Sequence, residues 1–174
     1  LVVDASDGSS IAALRSPVGL ATRVLADRGQ LFFGGSDGNV RCFDTAQDRV
    51  LWVVSLGRTP VDGQLELGRD TVFALGADGV LLAIARTTGK ISGQLQLEGE
   101  PIHALRLRGS RLLAEVRRKK ERNLPQRDVL VAVQADAMSL LWEYSQEGAS
   151  PGTAGLDDYV IGLPSVAGDL VLFR

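Results

Sequence analysis

The sequence contains few of the residues from which many catalytic and metal sites are built. It has one cysteine, Cys42, and one histidine, His103, among 174 residues. A single cysteine excludes an internal disulfide, and one residue of each type does not make a credible zinc site. No Ser-His-Asp assignment follows, because the sequence gives the histidine no spatial partner. We expect a structural or surface role for His103 and a small buried hydrophobe in Cys42.

The sequence also lacks an excess of charge of one sign and any long apolar run. Its formal net charge is -2 and its pI is near 5.4, so nucleic acid is not expected as a partner. The longest apolar runs reach about five or six residues, whereas a membrane-spanning helix needs about 20. The chain opens at Leu1 with neither Met nor a signal-peptide pattern, and we expect it to begin inside a longer protein or after processing.

Apolar residues are nonetheless abundant, and they recur with a regular period. Hydrophobic residues make up 45% of the chain and charged residues 23%, the balance of an ordered globular domain. Four segments align as an apolar run, a short polar turn and a second, alternating run. One position of this alignment, with spacings of 40, 41 and 49 residues, holds Asp4, Asp44, Ala85 and Gln134. The position eight residues later holds Ala12, Trp52, Gly93 and Trp142.

A second set of anchors supports the same period independently. Just after the second run of each segment, a small or polar residue is followed by Pro17, Pro60, Pro101 and Pro151. Their spacings are 43, 41 and 50 residues. A period of about 41 residues is typical of β-propellers, in which each blade is a sheet of four antiparallel strands. We therefore predict an all-β propeller with about four blades' worth of sequence.

The strands of one blade can be assigned from the alternation of apolar runs and turns. The four runs between Pro17 and Gly57 are GLATRVLA, QLFFGGS, NVRCFD and RVLWVVSL. Asp37-Gly38 and Asp78-Gly79, each between two apolar runs, predict type I′ hairpin turns, which need positive φ at both central residues. The continuous runs LFFGG and VLLAIA predict covered inner strands, and the alternating KISGQLQLEG predicts an outer strand.

Counting strands divides the chain into blades. Residues 1–16 supply the last two strands of one blade, residues 17–57, 58–99 and 100–148 supply complete blades, and residues 149–174 supply the first strands of another. The termini would close a small ring if they paired with each other, which hides sheet edges. The same count also fits an arc of a larger propeller, which we favour because six to eight blades are usual for this kind of repeat.

The unit resembles the quinoprotein-type (PQQ-like) propeller repeat. That repeat has a strand, Asp-Gly, a strand ending in Ala-x-Asp, then Thr-Gly-Lys and a tryptophan. The matching residues are Asp44, Trp52, Thr87, Thr88, Gly89, Lys90 and Trp142. The departures are Ala12 and Gly93 at the tryptophan position and Ala85 and Gln134 at the aspartate position. The resemblance implies that Trp52 and Trp142 dock one blade on the next, and each would bury a large area.

The most unusual segment is an insertion in the third complete blade, between LLAEV and VLVAV. The inserted sequence RRKKERNLPQRD makes this unit about nine residues longer than its neighbours. Its six cations are Arg117, Arg118, Lys119, Lys120, Arg122 and Arg127. Connections at the rim of a propeller carry function, so we predict a basic finger that contacts an acidic protein or another anionic surface. The alternative is an extended, solvated hairpin whose charges prevent edge pairing.

A second long connection, residues 148–165, carries the acidic pair Asp157 and Asp158 beside Tyr159. Paired acids bind a cation or a basic partner in some proteins, but an isolated Asp-Asp is usually a turn. The segment does not have the spacing of a calcium loop. We therefore assign no metal-binding residues to it.

The family that the repeat resembles includes quinone-dependent dehydrogenases, an outer-membrane assembly lipoprotein and sensor propellers. For the dehydrogenases the resemblance implies a complete ring, a central carboxylate with calcium under the quinone, and often an adjacent-cysteine disulfide. One cysteine cannot form that disulfide. We therefore predict a non-catalytic scaffold for protein–protein interaction or assembly, with no catalytic or cofactor-binding residues.

Two alternatives to the scaffold stay open: a ligand-sensing domain of a larger signalling protein, and a fragment of a quinone-dependent dehydrogenase. We expect a protein partner, and self-association if the propeller is an open arc with exposed blade faces. Similarity to the outer-membrane assembly propeller favours an extracytoplasmic, periplasmic location in a bacterium.

Overall fold

The computed structural model contains β-strands and no helix among the residues that it describes. These are residues 18–57, 60–102, 105–119 and 126–145, together with the backbone of four short strands nearer the termini. The strands nearer the termini are β1 (Val2–Val3), β2 (Ser10–Ala12), β16 (Ser165–Ala167) and β17 (Leu170–Leu172).

Three antiparallel sheets form the described body of the protein. The first sheet has the order β3 (Leu25–Asp27), β4 (Gln30–Gly34), β5 (Asn39–Asp44) and β6 (Arg49–Ser55). The second has the order β7 (Pro60–Leu67), β8 (Thr71–Gly76), β9 (Val80–Ala85) and β10 (Ile91–Gln96). In the third, β11 (Glu100–Pro101) and β12 (Arg106–Arg108) both pair with β13 (Arg111–Arg118), and β14 (Arg127–Gln134) and β15 (Ser139–Tyr144) follow.

The first strand of the first sheet is shorter than the sequence predicts. Regular pairing begins only at Leu25, and Leu20 makes an isolated bridge to Gly35. Between them, the hydroxyl of Thr22 accepts a hydrogen bond from the amide of Gly34 at 2.8 Å. A side chain thus takes the place of a main-chain acceptor, which interrupts the ladder without leaving the amide unsatisfied.

Sheets that are apolar on both faces pack against each other. One buried cluster joins the first and second sheets, and its largest members include Phe32, Trp52, Leu65 and Ile84. Another cluster joins the second and third sheets, around Phe73, Leu81, Leu112 and Val131. The outer strands β10 and β15 are mostly exposed, as the alternation of KISGQLQLEG predicts for β10. Face-to-face stacking of four-stranded meanders is the arrangement of a β-propeller, here an arc of one.

The meander topology gives the stack two ends. The linker end holds the turns between second and third strands together with the links between sheets. At this end the amides of Leu56 and Leu97, at the start of two links, donate to the carbonyls of the turn residues Gly38 and Gly79, both at 2.9 Å. The docking end holds the turns between first and second strands and between third and fourth strands. There Thr45 donates to the carbonyl of Gly29 at 2.9 Å.

The Asp-Gly turns at the linker end are not of type I′, so that prediction is wrong. Gly38 and Gly79 have φ values of 77° and 84°, but neither preceding aspartate has a positive φ. Gly38 instead closes a bond to the carbonyl of Gly35 at 3.1 Å, so only the glycine needs the left-handed conformation. The paired positive φ values of a type I′ turn occur at the docking end, at Arg28 (49°) and Gly29 (76°).

Candidate functional site

Trp52 lies between the first and second sheets at the docking end. It is on β6 and is buried, and its indole Nε1 donates to the carbonyl of Arg86 at 2.7 Å. Its ring lies against Gly89, where an added Cβ would come within 2.6 Å of the indole Cγ. Gly89 also has a φ of 70°, so the turn between β9 and β10 offers a flat backbone surface to the ring.

Arg86 is a buried cation in the same interface, and sequence reasoning did not identify it. Its Nη2 donates to Asp27 of the first sheet at 2.6 Å, and its Nη1 donates to the carbonyl of Arg69 at 3.1 Å. Its guanidinium carbon lies 5.1 Å from the centre of the Phe32 ring, within the range of a cation–π contact. The one available signal was a charged residue directly after the apolar run VLLAIA.

At the interface between the second and third sheets, the small residue is on the fourth strand and the large residue is in the turn, the reverse of the Trp52–Gly89 pair. The place of Trp52 is taken by Gly93, and the place of Gly89 is taken by Met138. An added Cβ at Gly93 would lie 2.5 Å from the Cγ of Met138, so the methionine occupies the space that a tryptophan would otherwise fill. Met138 is buried and adopts a φ of 47°, which shows that this turn position does not require glycine.

Trp142 has the same position in the repeat as Trp52 but a different environment. It lies on β15, where it pairs with Ala132, and its side chain is exposed. The other large apolar side chains of β15 are exposed as well, at Leu140, Leu141 and Tyr144. Its docking on a further blade therefore stays a prediction.

The basic insertion joins β13 and β14, two eight-residue strands that pair along their whole length, at the linker end. Arg117 donates two hydrogen bonds to the carboxylate of Asp128 across this hairpin, at 2.8 and 2.9 Å. The carboxylate raises the pKa of Arg117 above its usual value. Arg118 lies between Glu143 of β15, at 2.5 Å, and Glu98 of the preceding link, at 3.7 Å.

These ion pairs divide the six predicted contact residues into two groups. Arg117 and Arg118 are engaged in the stem of the hairpin. Lys119 is exposed and Arg127 is half-buried, opposite Arg118 in the register. Lys120 and Arg122 lie outside the described residues, as do His103, Asp157 and Asp158.

A shallow, open groove of about 790 Å³ lies beside the hairpin, between the second and third sheets. Its charged lining consists of Asp78, Glu98, Glu100, Arg118 and Lys119. The groove therefore presents both signs of charge at the linker end, next to the basic insertion.

On the inner side of the sheets, Glu66 of β7 links all three of them. Its carboxylate lies 3.5 Å from Arg23, near the first sheet, and accepts a hydrogen bond from the amide of Leu107 in the third sheet at 3.3 Å. The contacts of Glu66 fix the inner edges of the sheets relative to each other.

The acidic and cysteine side chains of the described residues are dispersed rather than clustered. Within these ranges, no group of three or more His, Cys, Asp or Glu side chains is placed to hold a metal ion. Cys42 is buried as expected, and burial raises the pKa of its thiol to about 11, so it is not a reactive thiolate. No helix among the described residues is long and apolar enough to cross a membrane.

Comparison with known proteins supports the repeat assignment. A family profile described as outer membrane protein assembly factor BamB matches residues 1–174. Among solved structures, BamB from Moraxella catarrhalis is 15% identical with a TM-score of 0.53, over 71% of this chain and 37% of that one. A search of curated protein sequences finds no match.

Two other solved structures share the fold at low identity. The quinohemoprotein alcohol dehydrogenase of Comamonas testosteroni is 15% identical with a TM-score of 0.56, over 74% of this chain and 21% of that one. The computationally designed Ika4 protein is 13% identical with a TM-score of 0.65, over 79% of both chains. The aligned part of this chain thus covers 37% of BamB and 21% of the dehydrogenase, so it matches well under half of either protein, and one of the two is an enzyme.

Proposed function

Because this chain belongs to the family described as outer membrane protein assembly factor BamB, we propose that it is a non-catalytic propeller scaffold for protein–protein interaction or assembly. Its site of contact is the tip of the basic hairpin, residues 119–127, at the linker end. An extracytoplasmic location belongs to the same proposal. The division of the chain into blades at residues 17–57, 58–99 and 100–148 also stays part of it.

The observation that carries the proposal is the ion-paired stem of the hairpin. The bidentate pair between Arg117 and Asp128 crosses the two strands, and Arg118 ties them to β15 and to the preceding link. Bidentate guanidinium–carboxylate pairs restrict geometry more strongly than single hydrogen bonds do. The stem therefore fixes the two strands between which the tip residues lie in the sequence.

The chemistry of the tip favours an acidic protein surface as the partner. The cations beyond the stem are Lys119, Lys120, Arg122 and Arg127, and the acid among them is Glu121. Charges on a binding surface steer a partner of opposite charge and act mainly on the association rate, which falls as salt is added. No aromatic residue is interleaved with them, so base stacking is not supported.

The proposal is tested by site-specific photo-crosslinking in cells. A photoactivatable amino acid at position 119 is compared with one at position 90, because Lys90 is also an exposed lysine but lies at the docking end. We expect a discrete protein adduct from position 119 and none from position 90. The adduct should weaken when Lys120 and Arg122 are changed to Glu, and should weaken with added salt in the purified complex. Equal labelling from both positions, or an adduct that ignores these changes, would remove the basic tip as the contact.

A second candidate function is that of a fragment of a quinone-dependent enzyme, which the dehydrogenase among the similar structures supports. That candidate predicts that a quinone cofactor with calcium changes the absorbance of the mixture or raises the melting temperature. A ligand-sensing domain instead predicts a saturable thermal shift with a small metabolite. The scaffold proposal predicts neither result, so one melting series separates the three functions.

A further inference from the structure

The turns between first and second strands carry exposed arginines in all three described sheets. We call them the inner turns, and they are residues 27–30, 68–71 and 108–111, at the docking end. Arg28 and Arg69 each follow the residue that closes the turn, and Arg108 and Arg111 close the third turn themselves. The chain as a whole has a net charge of -2, so this placement concentrates positive charge against the overall balance.

Contacts hold the three inner turns side by side. The buried guanidinium of Arg86 donates to Asp27 in the first turn and to the carbonyl of Arg69 in the second, at 2.6 and 3.1 Å. The second turn lies against the residue before the third, because an added Cβ at Gly68 would be 3.5 Å from Cδ2 of Leu107. The exposed arginines therefore belong to one surface at the inner edges of the sheets.

Only two acidic residues lie within the inner turns, Asp27 and Asp70. Asp27 pairs with the buried Arg86 at 2.6 Å, and Arg28 lies farther from it, at 3.7 Å. Asp70 lies 3.9 Å from Arg69, and these two side chains are 84% and 90% exposed. Exposed pairs of this kind contribute little, because water screens them. The guanidinium groups of the inner turns are therefore accessible to a carboxylate from outside.

The backbone of Arg28 has a conformation that its residue type disfavours. Its φ is 49°, at a turn position that usually has Asn, Asp or Gly. The other non-glycine residues with positive φ in the described part of the chain are Asp48, a preferred type, and Met138, which fills the space beside Gly93. Arg28 has neither property, and its side chain is 74% exposed. A disfavoured residue type at an exposed tip indicates a role for its charge.

The outer turns at the same end restrict the shape of a partner. These turns, between third and fourth strands, contain the exposed Asp48 and Asp136. A flat anionic surface such as a membrane would meet these acids together with the inner turns and be repelled by them. An extended acidic segment, one chain wide, contacts the inner turns alone. Its carboxylates also suit the planar guanidinium, which pairs with them through two hydrogen bonds.

We propose that the inner turns bind an extended acidic segment of a partner protein through Arg28, Arg69 and Arg108. This surface lies at the opposite end from the basic tip, so it goes beyond the proposed scaffold contact, and either contact can fail without the other. A scaffold with both surfaces holds acidic partners at its two ends.

The first test measures binding of a fluorescent oligoglutamate peptide to the purified chain, by anisotropy at low ionic strength. Every sample carries Lys120→Glu and Arg122→Glu, so that binding at the basic tip does not contribute. Arg69→Gln and Arg108→Gln should each weaken binding about twofold to fivefold, the range of an exposed ion pair, and together about tenfold. Added salt should weaken it further. The control Lys90→Gln, in an outer turn, should leave the affinity unchanged.

The second test uses Arg28 to separate binding from folding. Arg28→Asn places a preferred residue type before Gly29 in a type I′ turn. The melting temperature should therefore stay the same or rise, while the affinity for the peptide falls about twofold to fivefold. A lower melting temperature with unchanged affinity would show that Arg28 serves the turn and does not bind the segment.

Two outcomes of the first test would overturn the proposal. One is no oligoglutamate binding, or binding that ignores the substitutions of Arg69 and Arg108. The other is arginine-dependent sedimentation with phosphatidylglycerol vesicles in the absence of peptide binding, which would assign the inner turns to a membrane surface. Both outcomes leave the crosslinking test of the basic tip unaffected.

Discussion

The buried guanidinium of Arg86 joins the first sheet to the second through several contacts at once. It hydrogen-bonds to Asp27 and to a turn carbonyl, and it lies over the Phe32 ring. Its own carbonyl accepts the indole hydrogen of Trp52. A charge removed from water needs such partners, since an unpaired one is costly. Arg86 thus holds the surface on which the tryptophan docks.

Replacing this arginine should weaken the protein as a whole. Arg86→Met keeps the aliphatic stem but removes the buried partner of Asp27, which then has only the exposed Arg28, 3.7 Å away. Breaking a fully buried ion pair costs about 3–5 kcal/mol. The Asp27 side chain is 38% exposed, which screens the pair, so we expect a loss nearer about 2 kcal/mol. Urea unfolding measures it, with Arg69→Met as the control because that side chain is 90% exposed. Equal losses in the two variants would contradict a specific role for Arg86.

The turn between β4 and β5 shows how single residues stabilise an element. The carboxylate of Asp37 accepts a hydrogen bond from Arg41 Nη1 at 2.9 Å. It also accepts one from the side-chain amide of Asn39 at 2.7 Å. These bonds, with that of Arg41 the largest, hold the pKa of Asp37 well below its usual value of 3.8. The ionised form is therefore favoured in the folded turn.

This depressed pKa makes a signed prediction about acid stability. Because the folded pKa lies below the unfolded one, the contribution of Asp37 is complete above pH 3.8 and is lost as the pH falls further. The difference in unfolding free energy between the wild type and Asp37→Asn should be constant from neutral pH to about pH 5 and shrink below about pH 4. Chemical denaturation across this range measures it. An Arg41→Gln variant should lose most of the same pH dependence, and its retention would show that another group titrates.

At the scale of elements, the sequence predicts most strands and few of their contacts. The Asp-Gly turns and apolar runs locate β4, β5, β8 and β9, because turn chemistry and burial are local properties. The break at Thr22, in contrast, depends on a hydrogen bond with Gly34, 12 residues away in the chain. The same limit applies to the basic insertion, since the partners of Arg118 lie 20 and 25 residues away in the chain, at Glu98 and Glu143.

At the scale of the molecule, the sheets are joined by pairs of positions whose sizes complement each other. The repeat predicts Trp52 at such a joint and leaves Gly93 unexplained, because the compensating Met138 is found only when two sheets are placed together. One interface pairs a large residue on the strand with a small one on the turn, and the other reverses them. In both pairs a glycine makes room for the larger partner, so each interface is filled by one large side chain.

Exchanging the sizes at the second interface tests this complementarity. Gly93→Trp alone should clash with Met138. Met138→Gly alone should leave a void and increase the backbone freedom of the turn in the unfolded chain. We expect each to lower the unfolding free energy by about 2–4 kcal/mol. The double variant rebuilds the tryptophan–glycine arrangement and should recover at least half of the summed loss. Thermal and urea unfolding measure the cycle, and additive losses would mean that the two positions do not share one space.

The size pairs also bear on how a chain of near-identical units avoids folding in the wrong order. Similar sheets are interchangeable by shape, and misassembly between neighbours is a characteristic hazard of repeat proteins. If the first sheet skipped its neighbour and met the third, Trp52 would strike Met138 instead of lying on Gly89. If the second sheet met a turn like its own, Gly93 would face glycine across an empty space. A wrong neighbour would therefore produce a clash or a cavity, whereas the correct neighbour produces neither. The size pairs thus favour the correct order of the sheets.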